Sequence, residues 1–260
     1  MSDQSARHSL RRPILGLLAL LLGSWLVATL WLMPVEVVTQ RLPLPDGVVL
    51  SHSNGNLFRG RVTIQTPELT IDELHYRMRP SRLLTGRLSY ALEARVSGGY
   101  FTADLAADRH GLVTLTHIHG RILAKSPLIT NHAPFPLEGV LELTSERALL
   151  GPQGLIETKA QLVWLEAGLL FQELIPLGQI SGEITVDAGR VNGQIRDDGA
   201  GVIAVDLQLN GTNRGRLTGT LAPRPDAPDW LAQSMTMIGR PDRQGRYPIQ
   251  LNYDLPIATP

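Results

Sequence analysis

Apolar and polar residues alternate along most of this chain. From Val202 to Asn210, Ile203, Val205, Leu207 and Leu209 fall on one side, with Ala204, Asp206, Gln208 and Asn210 on the other. That period of two marks a half-buried strand. Near the C-terminus Tyr247, Ile249, Leu251, Tyr253 and Leu255 alternate with Arg246, Pro248, Gln250, Asn252 and Asp254. The same pattern predicts strands over 86–96, 100–106, 113–122, 137–143, 159–165, 179–186, 190–195 and 216–221. Turn signals separate them: Gly98-Gly99, Asp198-Gly199 and Asn210-Gly211 accept positive φ cheaply. No helical crossovers stand between the strands, so the pattern predicts an antiparallel meander. Pro248 cannot donate to a ladder and pushes the last strand toward an edge.

Two segments break the alternation with helical spacing. Asp226 to Gly239 carries a capping Asp, a Pro in the first turn, a closing Gly and an apolar face of Trp230, Leu231, Met235 and Ile238, which reads as core packing. Pro80 to Thr85 can form a single turn. Gly139, Gly182, Gly193 and Gly219 fall inside predicted strands, where glycine marks bulges or bends. They predict a mainly β fold whose sheet is curved, a half-barrel or groove.

Pro13 to Met33 is different in kind: not one charge interrupts it. As a helix it is about 30 Å long, the thickness of a bilayer's hydrocarbon core. Arg7, Arg11 and Arg12 precede it against Asp3 alone, so the positive-inside rule puts residues 1–12 in the cytoplasm. The run exceeds the apolar core of a secretory signal and leaves through Trp31-Leu32-Met33-Pro34 without a pair of small residues for cleavage. The expected organisation is a basic head (1–12), a retained transmembrane signal anchor (13–33) and a β-rich domain (34–260) on the far side of the membrane.

Composition narrows the chemistry. The chain has 24 Lys+Arg against 24 Asp+Glu and no Cys. Balanced charge argues against nucleic acid as a partner, because phosphate neutralisation needs a cationic excess. Without cysteine there is no disulfide, thiolate metal cage or cysteine nucleophile. No nucleophile elbow, phosphate loop or dinucleotide fingerprint is present. Glu138 and Glu183 place carboxylates in strands but fix no catalytic pair. His117 and His119 lie two apart on a predicted strand and offer two imidazoles to one side. Zinc requires a third ligand, and no spacing fixes nearby Asp104, Asp108 or His110 in that role. No catalytic, cofactor-binding or metal residue is therefore assigned. Between Arg59 and Arg95 seven arginines face four acids, a run that suits lipid headgroups or an acidic partner, or simply a solvated face paired internally.

Several short stretches, taken in order, resemble the type II secretion system protein N family. A basic head and span come first, then Leu42-Pro43-Leu44-Pro45-Asp46-Gly47-Val48-Val49-Leu50 leading into Asn54-Gly55-Asn56-Leu57-Phe58-Arg59-Gly60. The family favours Gly-Thr-Leu-Trp-x-Gly there, so Asn56 and Phe58 depart from it. Leu74-His75-Tyr76-Arg77-Met78-Arg79-Pro80 and Leu83-Leu84-Thr85-Gly86-Arg87-Leu88 follow, with His75-Tyr76 where the family has Trp. Ile238 to Ile249 is the nearest match. The resemblance implies a non-enzymatic component of the machine that carries folded proteins from the periplasm across the outer membrane of Gram-negative bacteria. It implies partners among the inner-membrane platform proteins and the outer-membrane secretin, with membrane lipid contacted through the N-terminal helix. Two rivals share some of these features. A lipid-handling β groove of the AsmA-like type would show a continuous apolar concave lining, where a protein-binding scaffold would show mixed polarity. A periplasmic enzyme would bring His117 and His119 to a third ligand.

Overall fold

A computed structural model describes residues 49–254, apart from 66–69, 86, 109, 127–135, 171–172, 213, 229, 232–234 and 237–238. The expected span at 13–33 lies outside the described residues, and among those described no helix is long and apolar enough to cross a membrane.

The described chain is one antiparallel sheet of 13 strands whose order in space is their order in sequence. The strands are β1 (Val49–Gly55), β2 (Arg59–Gln65), β3 (Thr70–Met78), β4 (Leu88–Val96), β5 (Gly99–Ala107), β6 (Val113–Leu123) and β7 (Leu137–Gly151). They continue as β8 (Gly154–Leu170), β9 (Leu174–Asp187), β10 (Arg190–Asp197), β11 (Ile203–Gly211), β12 (Arg214–Pro223) and β13 (Tyr247–Asp254). The sheet is open, with β1 and β13 as its edges, and Pro248 lies in the outer strand β13. A 3-10 helix, Pro80–Thr85, joins β3 to β4 where a single turn was expected. The segment predicted as a helix over 226–239 falls partly outside the described residues; within it Trp230, Leu231 and Met235 are helical.

Period-2 patterning becomes two chemically distinct faces. One register row crosses twelve strands through Val62, Leu74, Ala94, Phe101, Gly120, Leu143, Leu162, Gly182, Ile195, Leu207, Gly219 and Ile249. Every member is glycine or apolar, as expected where side chains on one face pack against cross-strand neighbours. Glycines recur beside bulky members: a Cβ on Gly120 would lie 3.2 Å from the Phe101 ring, and one on Gly182 would lie 3.4 Å from Ile195. Gly182 thus accommodates a neighbour's bulk within an unbroken ladder, while Gly139 does sit at a bulge, with φ 104° between Glu138 and Val140.

The largest buried apolar cluster among the described residues lies at one end of β8–β13. Ala167, Ile175, Leu177, Ile203, Val205 and Tyr247 form a buried cluster with Leu231 and Met235 from the β12–β13 connection. There β9 outlasts its short neighbour β10, and the Val202 N–H bonds directly to the Pro176 carbonyl at 3.1 Å. Asp197, the last residue of β10, anchors this junction. Its carboxylate accepts the N–H groups of Val205 (2.7 Å) and Gly199 (2.8 Å) and pairs with the Arg224 guanidinium. A smaller cluster of Ala103, Ile118 and Ala148 occupies the same face over β5–β7.

Candidate functional site

Opposite the apolar face, the side chains of β1–β6 border a hollow of about 840 Å³. Its position follows from local geometry. Asn56, in the β1–β2 turn, accepts the N–H groups of Phe58 and Arg59 on its side-chain oxygen, both at 3.0 Å. Its own N–H reaches the Arg59 carbonyl at 2.9 Å, so this side chain closes the hairpin and sets where β2 begins. On the apolar side, the Tyr76 hydroxyl donates to the Asn56 carbonyl at 2.8 Å and lies over Gly60, where a Cβ would be 2.4 Å from that oxygen. Burial raises the pKa of both Tyr76 and its edge-on neighbour Tyr90, keeping these phenols neutral.

The hollow's side carries the arginine run. Arg59 of β2 stands directly opposite Arg77 of β3, and the row continues through Ala91 to Asp104. Two residues along, Arg61 stands opposite His75, then Glu93 and Thr102. Some of these side chains are paired. Arg61 lies 3.4 Å and His75 3.1 Å from the Glu73 carboxylate. The His75 hydrogen bond leads, with Arg61 helping, in holding that carboxyl below its usual range. Arg79 approaches Asp104 at 2.7 Å, and the His117 Nδ1 lies 3.2 Å from the other Asp104 oxygen. Neither Arg59 nor Arg77 has an acidic partner among the described residues. The expected internally paired face is therefore only partly realised.

The two strand histidines do not act together. A register shift between β5 and β6 puts Thr102 opposite His119 but Asp104 opposite Thr116, and His117 absorbs the extra residue with φ 52°. His117 meets Asp104, whereas the His119 Nε2 lies 3.1 Å from the Tyr100 hydroxyl. Asp108 closes its own loop by accepting the His110 and Leu112 N–H groups, which draws its pKa down. No group of three or more potential metal ligands converges among the described residues. The Glu183 carboxylate takes a 3.4 Å hydrogen bond from Gln161, and the Glu138 backbone carbonyl accepts from the Trp164 indole N–H at 2.9 Å.

Comparison with known proteins adds what the geometry alone leaves open. The family model for type II secretion system protein N matches residues 46–250, most of the chain and nearly all of the sheet. The chain belongs to that family. It is 26% identical over 246 residues to the type II secretion system protein N of Aeromonas hydrophila, covering 89% of this chain and 95% of that one. To the protein of the same name from Vibrio cholerae serotype O1 it is 23% identical over 234 residues, 83% and 88% of the two chains. No solved structure matches it. The family match begins just before β1 and ends inside β13, so the arginine-bearing strands and the apolar face both lie within it.

Proposed function

We propose that this component of the type II secretion system is a non-enzymatic scaffold, held at the inner membrane by its N-terminal segment, that presents the sheet to other subunits in the periplasm. The observation that carries the reading is family membership over residues 46–250. The uncharged run Pro13–Met33 behind a basic head supports the anchor and its orientation. The mixed polarity of the β1–β6 hollow supports protein contacts there, with inner-membrane platform subunits and the outer-membrane secretin as the partners. No enzymatic role is proposed, because His117 and His119 face separate partners, Asp104 and Tyr100.

The test is crosslinking in intact cells followed by mass spectrometry of the captured chains. Recovery of secretion-platform subunits supports the scaffold, and recovery of lipid-trafficking proteins in their place sinks it. A reporter active only outside the cytoplasm, fused after Pro260, is expected to be active. The chain should also stay with membranes washed in alkaline carbonate.

The unbroken apolar row across β2–β13 favours a second reading, a sheet that handles lipid. Acyl chains recovered in stoichiometric amounts from the purified protein would establish it, and a lipid-free preparation that still supports secretion would remove it.

A further inference from the structure

We propose that the hollow over β1–β6 docks an extended acidic segment of a protein partner, whose carboxylates are held by Arg59 and Arg77. The proposal rests on the scaffold reading above and names the chemistry of its contact.

The first argument is the pair itself. Residues directly opposite on antiparallel strands hold their Cβ atoms about 5 Å apart, and like charges so placed repel. The fold leaves this repulsion standing. Beyond Arg77 the row meets Ala91, whose methyl brings no charge, and the next member, Asp104, is engaged by Arg79 and His117. Four arginines and two carboxylates border the hollow; with Arg61 paired to Glu73 and Arg79 to Asp104, Arg59 and Arg77 are left against Glu93 alone. A carboxylate bridging the two guanidinium groups turns the repulsion into two charge-assisted contacts, and arginine's planar fork suits that anion.

The second argument is spacing. Arg59 and Arg61 on β2, like His75 and Arg77 on β3, are two residues apart on one face, a repeat of about 6.7 Å. An extended peptide shows alternate side chains at the same repeat, so acids at every second position meet Arg59 and then Arg61 along β2, or Arg77 and then the His75 imidazole along β3. A single phosphate headgroup would satisfy one position and leave most of an 840 Å³ hollow unfilled.

The full-length chain in phosphatidylcholine nanodiscs, titrated with a labelled Thr-Glu repeat octapeptide, tests this by fluorescence anisotropy. Binding is expected to be about tenfold tighter than for the Thr-Gln octapeptide and to weaken as salt rises from about 50 to about 200 mM. The double variant R59Q/R77Q is expected to lose about tenfold, while R216Q, on the same face of β12, keeps parental affinity. An unfolding midpoint of R59Q/R77Q at or above the parent's shows that the loss is not misfolding. Equal binding of the two peptides, or of parent and double variant, overturns the proposal. So does arginine-dependent binding of dihexanoyl phosphatidylglycerol without binding of the acidic peptide. Crosslinking in cells separates the two levels. Platform subunits captured equally by parent and R59Q/R77Q overturn the docking site alone. Their absence from the parent's captures sinks the scaffold reading and leaves the peptide measurement to decide the hollow.

Discussion

The Arg224 guanidinium reaches across the start of β11 to the Asp197 carboxylate, tying the end of β12 to the end of β10. Asp197 is 7% exposed and Arg224 23%, and the arginine's other terminal nitrogen holds the Gly201 carbonyl at 2.6 Å. Removing the carboxylate's charge leaves a mostly buried cation and two backbone N–H groups with a poorer acceptor. D197N is expected to cost about 2–3 kcal/mol, read as a lower urea midpoint.

The same pair sets an acid limit. Burial by itself would raise the Asp197 pKa, but the Val205 N–H, the Arg224 side chain and the Gly199 N–H together hold it below the ordinary carboxylate value. A carboxyl depressed in the folded state stabilises fully above its unfolded pKa of about 3.9, and that contribution is lost as pH falls through the folded value. Urea unfolding from about pH 5 downward should therefore show a steeper loss in the parent than in D197N. Parallel curves would contradict this assignment.

Two glycines of the apolar row separate backbone need from side-chain room. Gly219 has φ 155°, and a Cβ there would lie 2.1 Å from the Asp206 carbonyl oxygen. Gly182 lacks positive φ and would place its Cβ at an ordinary 3.4 Å from Ile195. G219A is expected to destabilise by at least about 2 kcal/mol, while G182A stays within about 1 kcal/mol of the parent. Thermal melts of the two variants side by side measure the contrast.

A pair of hydroxyls secures the β7 bulge. Ser145 and Thr158 both donate to the Arg147 carbonyl at 3.0 Å, and their oxygens lie 3.2 Å apart. Thr158→Val keeps the shape and removes one donor from the part-buried Arg147 carbonyl, at a cost of about 1 kcal/mol. Amide hydrogen exchange at Ser145–Ala148 should quicken in that variant more than exchange in β11.

Leu231 is 6% exposed among residues of β8, β9, β11 and β13. Leu231→Ala is expected to cost about 3 kcal/mol through lost burial and the cavity left behind. Nearby Trp230 donates to Glu173 at 3.1 Å, so its fluorescence should shift to the red as that packing loosens.

Much of the sheet could be read in the residues. From β4 onward each strand was visible as an alternation, because one face is apolar and the other solvated. The lengths of β7, β8 and β9 were not, since 137–143, 159–165 and 179–186 grew to 15, 17 and 14 residues. Bulges at Gly139 and between Ser145 and Ala148 shift the phase, and each strand resumes beyond the point where simple alternation fails. The first three strands were missed although Val62 and Ile64 alternate with Arg61 and Thr63. In β2 the arginines Arg59 and Arg61 read as part of a charge run, and in β1 the polar stretch Ser51-His52-Ser53-Asn54 hides the period. Asn210-Gly211 was expected to turn, yet both pair within the ladder and the reversal follows them, because Gly211 accommodates Gly215 opposite. Register also decided the hollow. Arg59 and Arg77 are 18 positions apart, and only the antiparallel pairing of β2 with β3 makes them neighbours.

Because each strand pairs only with those before and after it in the chain, the sheet can be laid course by course as the polypeptide emerges. Among the described strands every pairing joins consecutive elements, so loop-closure entropy stays modest and is largest at the connection 224–246 between β12 and β13. The growing end is always an open ladder, a seat for the next course, and β1 and β13 keep theirs when the sheet is complete. A chain halted midway through synthesis would present such a seat to any stray strand, which makes an uninterrupted supply of its own sequence the surest guard against mispairing.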